Sequence, residues 1–69
     1  MNKKRKGTIM AKFIVIHDTN EKTLIINTDQ IMTIEKQNDI YGVHFTGSRL
    51  IFVDHQNAEL IFYVIGQRI

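Results

Sequence analysis

The stretch "ELIFYVIGQRI", Glu59 to Ile69, sets six large apolar residues side by side from Leu60 to Ile65. Whether this run forms a strand or a helix decides the fold. Its length and β-branched content suit a buried strand as well as a helix, so phase has to separate the two. Ala58, Ile61, Phe62, Ile65 and Ile69 fall at i, i+3, i+4, i+7 and i+11, one stripe on a 3.6-residue period. Asn57 stands just ahead of the stripe as an N-cap, and Gly66 near its end loosens or stops the helix. The segment reads as a C-terminal helix.

The stripe leaves residues unaccounted for. Leu60, Tyr63 and Val64 lie on the opposite side of the same helix, where a helix covering a sheet is ordinarily polar. Upstream segments repeat the message, because "FIVI" (13–16), "LII" (24–26) and "LIFV" (50–53) are apolar on both faces, whereas a one-sided antiparallel sheet alternates. A chain of 69 residues has a thin core, and with no cysteine it has no disulfide to reinforce it. These features predict an obligate homodimer or a higher cyclic oligomer, with Leu60, Tyr63 and Val64 near the interface.

Short segments divided by turn residues precede the helix, and no proline occurs anywhere. "KFIVIH" (12–17) and "TLIIN" (23–27) flank the polar "DTNEK" and pair as a hairpin. "NTDQ" breaks the pattern before "IMTIEK" (31–36). After "QND", "IYGVHF" (40–45) puts Tyr41, Val43 and Phe45 on one face, and Gly42 within it signals a bulge or a close approach by another element. "RLIFVD" (49–54) follows the turn "TGS". The expected fold is α+β, a small antiparallel meander of about five short strands with one C-terminal helix, forming a single domain over residues 12–69.

The net charge is +2, but the charges are unevenly placed. Lys3, Lys4, Arg5 and Lys6 supply four positives within the first seven residues, while the other 62 carry five Lys or Arg against seven Asp or Glu, a balance of −2. Residues 1–11 therefore read as a basic, disordered arm. "MAKFIVIHD" from Met10 also has the look of a start of its own, since Lys6-Gly7 requires purine-rich codons at the spacing of a bacterial ribosome-binding site; on that reading the arm is not translated. No apolar stretch approaches the roughly 18 residues a membrane helix needs, and Lys12 interrupts the only signal-peptide-like core. A cytoplasmic protein is expected, and the absence of cysteine fits that compartment.

The run from Thr23 to Ile65 resembles the small FlbD-type proteins encoded in flagellar operons. That family has an early hairpin, an "LN.d.I..IE" segment, a "V.l.nG..y.V" hairpin and a short closing helix. Ile26-Asn27, Asp29, Ile31, Ile34-Glu35, Val43, Gly47 and Val53 stand at the matching places, and the likeness covers about Lys12 to Ile65. The chain departs from the family at the helix start, where "DHQNAE" replaces an acidic, Ser-capped turn. The resemblance implies fold more than role. A fainter similarity, over residues 26–53, is to the β core of LytTR-type DNA-binding domains. It implies an alternative, a nucleic-acid-binding accessory protein in which Lys36 and Arg49 are the phosphate partners of the body and Lys3, Lys4, Arg5 and Lys6 add affinity.

Residues capable of chemistry are scattered. His17, His44 and His55 have neither i, i+4 helical spacing nor a cysteine companion, so they read as polar turn and strand residues rather than zinc ligands. Asp29 is expected to accept backbone N–H bonds in "NTDQ", and Glu35 to pair with a cation or face water. The only serine, Ser48, lies in a turn outside any G-x-S-x-G motif, and the four glycines form no phosphate loop. Tyr41, Phe45 and Phe52 are assigned to the core rather than to a base-stacking platform, because the body is slightly acidic. The sequence thus predicts no enzyme, no metal, no cofactor and no small-molecule substrate. It favours a module that acts through protein contacts, with itself and with a further protein.

Overall fold

The computed structural model describes residues 12–69, so the basic arm, with Lys3, Lys4, Arg5 and Lys6, lies outside the described residues. Five antiparallel strands and one helix follow in order: β1 (Phe13–His17), β2 (Thr23–Asn27), a 3-10 turn (Thr28–Gln30), β3 (Ile31–Gln37), β4 (Ile40–Phe45), β5 (Arg49–Asp54) and α1 (His55–Ile65). This is the α+β meander that the periodicity predicts. The strands divide, however, into a hairpin, β1–β2, and a three-stranded sheet in the order β3-β4-β5.

Each connection has a local cause. In the first hairpin, Asp18 Oδ1 accepts the N–H groups of Asn20 and Lys22, both at 2.9 Å, and Glu21 takes the left-handed conformation at φ 65°. The division into two sheets falls at "NTDQ". There the Asn27 side chain, not Asp29 as expected, accepts a backbone bond, from the Asp29 N–H at 2.9 Å. Thr28 turns its N–H and its hydroxyl onto the Lys12 carbonyl at 2.8 and 2.9 Å. Thr28 thereby closes one end of the hairpin and lets the chain leave it for a second sheet. Folding the hairpin over instead of extending one flat sheet brings Ile16 and Ile26 into the same core as Tyr41, Val43, Ile51 and Val53.

The helix also starts earlier than the apolar stripe suggests. Asp54, not Asn57, is the N-cap, accepting the Asn57 N–H at 2.9 Å and its side-chain amide at 3.0 Å. Asn57 is left free to accept the His17 N–H at 2.9 Å, so the first turn of α1 is fastened to the end of β1. Gly66 is the left-handed C-cap at φ 78°, its N–H bonded to the Phe62 carbonyl at 2.8 Å. Ile69 therefore lies past the helix and is exposed, outside the stripe to which its spacing assigned it. Ala58, Ile61 and Phe62 form the buried face, packed on β1, β4 and β5.

Of the two alternatives at Gly42, the close approach is the one found; the bulge lies in β3, between Ile31 and Thr33. Gly42 is covered on the outer face by Phe52 and Leu50, whose side chains stand 3.5 and 3.6 Å from where a β-carbon would be. Of the three aromatics assigned to the core, Tyr41 and Phe45 are buried, but Phe52 is half exposed on the outer face over Gly42.

The cap has a pH signature. The Asn57 backbone N–H, and after it the Asn57 side chain, hold the Asp54 carboxyl below its ordinary value; Arg68, hydrogen-bonded to Glu59, does the same for Glu59. A carboxyl depressed by folding stabilises the native state fully above its unfolded pKa of about 4, and that stabilisation is lost as pH falls through the lower folded value. Asp54→Ala is expected to lower the melting temperature by a few degrees at pH 7 and to flatten its fall between pH 5 and pH 2. Parallel wild-type and variant profiles in circular-dichroism melts would contradict this assignment.

Candidate interaction surfaces

Among the described residues three apolar faces remain once the core is closed, besides a groove next to the helix. On the helix, Leu60 is 49% exposed and Tyr63 89% exposed. Val64, predicted beside them, is half-buried and turns instead into a groove of about 480 Å³ between β3 and the end of α1. Ile31, Met32, Ile34, Phe62, Ile65 and Ile69 form its other apolar walls. The second surface is the outer face of the three-stranded sheet, with Leu50 and Phe52. The third is the outer face of the hairpin, which "FIVI" and "LII" signal by being apolar on both faces, although the sequence placed the expected interface on the helix. Phe13, Val15 and Ile25 are each more than half exposed there, with Val15 and Ile25 directly opposed across the strands.

The two basic residues expected as phosphate partners of the body, Lys36 and Arg49, do not converge. Lys36 is opposite Tyr41 near the β3–β4 turn, its ammonium 5.8 Å from the Tyr41 ring centre. Arg49 opens β5 opposite Phe45, at the other end of the sheet. They form no common phosphate-binding stripe.

Titratable side chains make two small clusters. On the outer face His44 Nε2 is 3.1 Å from Glu35 Oε1, a bridge between β4 and β3. At the helix, the Tyr41 hydroxyl is 3.2 Å from His55 Nδ1, and His55 Nε2 is 3.7 Å from Glu59, which also bonds Arg68. Hydroxyl, imidazole and carboxylate stand here in the order of a catalytic relay. Tyr41, however, is only 2% exposed, which closes its oxygen to a substrate, and the His55–Glu59 separation is too long for a hydrogen bond. The cluster ties α1 and the Arg68 tail to the core. His17 meets the Thr23 hydroxyl at 3.1 Å.

Among the described residues no group of three His, Asp or Glu side chains is placed to hold a metal ion, and no helix is long and apolar enough to cross a membrane. Compared with known proteins, the chain matches no family model, no curated protein and no solved structure.

Proposed function

We propose that this chain is a non-enzymatic cytoplasmic module that self-associates and acts through protein–protein contacts as a structural or adaptor component. One observation carries the reading: among the described residues as many large hydrophobic side chains are exposed, ten, as hydrophobic residues are buried in the core, also ten. Such a balance is costly for a lone soluble subunit and ordinary for one whose surface is completed by a partner. The wide separation of Lys36 and Arg49 supports this over the nucleic-acid reading.

The test is mass and stability against concentration. Light scattering at micromolar concentration is expected to give a mass of at least two chains, and the melting temperature to rise with protein concentration, because association stabilises the folded state by mass action. A single-chain mass with a concentration-independent melting temperature would overturn the proposal.

A further inference from the structure

We infer that the outer face of the β1–β2 hairpin is the self-association surface and that its occupant is the same hairpin of a second copy, related by a two-fold axis. The inference rests on the self-association reading and adds the surface that performs it. A two-fold contact sets a patch against itself, so a residue near the axis meets its own like, and a charged side chain there would face the same charge. The six residues of this face, Phe13, Val15 and His17 opposite Asn27, Ile25 and Thr23, include no Lys, Arg, Asp or Glu.

The other two exposed faces are not built this way. Leu60 and Tyr63 are bordered by the Glu59–Arg68 ion pair, and Leu50 and Phe52 share their face with Asp54 and with Glu35 in its bridge to His44. The hairpin also has the greater need of cover. A two-stranded ribbon is marginal by itself; Ile16 and Ile26 bury its inner face, while the outer face has Ile25 70% exposed at its centre. Packing one hairpin on another about 10 Å away would bury Val15 and Ile25 of both copies as facing layers of a small sandwich.

The experiment compares full-length wild-type protein with Ile25→Glu and Leu60→Glu by light scattering, with circular dichroism to verify folding. Ile25→Glu is expected to weaken self-association by at least about 100-fold, because each copy would bury an unpaired carboxylate, while Leu60→Glu keeps the wild-type mass. A folded Ile25→Glu protein with the wild-type mass overturns the inference. If Leu60→Glu dissociates in its place, self-association stands but through the helix; a single-chain mass for the wild type removes both claims.

Should Ile25→Glu fail to fold, single cysteines decide, since the native chain has none. Ile25→Cys is expected to form a covalent dimer under mild oxidation at least about tenfold faster than Tyr63→Cys, the more exposed site, because only the former is held beside its copy. Equal rates would overturn the inference.

Discussion

Tyr41→Ala is expected to leave the protein largely unfolded at 25 °C. Tyr41 is the largest of the fully buried side chains, and both α1 and β3 meet it. Its ring packs edge-on against Phe62 of α1 at 5.6 Å, the Lys36 ammonium of β3 lies over it, and its hydroxyl reaches His55 in the first turn of the helix. Removing a buried aromatic costs about 3–5 kcal/mol, as much as a core of this size is expected to contribute in all. Tyr41→Phe keeps the packing and gives up only the hydroxyl contact, for which about 1 kcal/mol is expected. Urea unfolding followed by circular dichroism distinguishes the two. Equal losses for Phe and Ala would place the hydroxyl, not the ring, at the centre of the fold.

The second large effect tests the helix. Ile61 and Phe62 are adjacent in sequence and both buried, while their neighbours Leu60 and Tyr63 are exposed. Only helical geometry does this, since a strand would send Ile61 and Phe62 to opposite faces. Alanine at Ile61 is expected to cost about 2–5 kcal/mol and at Phe62 about 3–5. Alanine at Leu60 or Tyr63 is expected to change the unfolding free energy by less than about 0.5 kcal/mol when measured at low protein concentration. Costs that alternated along 60–63 would mean a strand.

The strands and the helical stripe were legible because each rests on a local period. Tyr41, Val43 and Phe45 alternate with Ile40, Gly42 and His44, and Ala58, Ile61 and Phe62 recur at helical spacing, whatever the rest of the chain does. Boundaries were less legible. Asn57 and Asp54 are both competent caps, and the choice went to Asp54 because Asn57 is engaged by the His17 N–H, forty residues away in the chain. Asp29 lost its expected role to Asn27 for a similar reason, since the turn is set by Thr28 closing onto Lys12.

The candidate surfaces divide the same way. That this chain has more apolar surface than a thin core can hide follows from composition and pattern, and needs no coordinates. Which residues remain outside depends on how the hairpin is laid over the sheet. Phe52 looks like a core residue in its strand, yet it covers Gly42 from outside, and Val64 turns into the groove beside β3 while Tyr63 points to solvent. The alternation of side chains along an element is a property of its own backbone, so the amino-acid order determined it. Which of two apolar faces meets the core is settled by contacts between elements distant in the chain, so only the tertiary structure decided it.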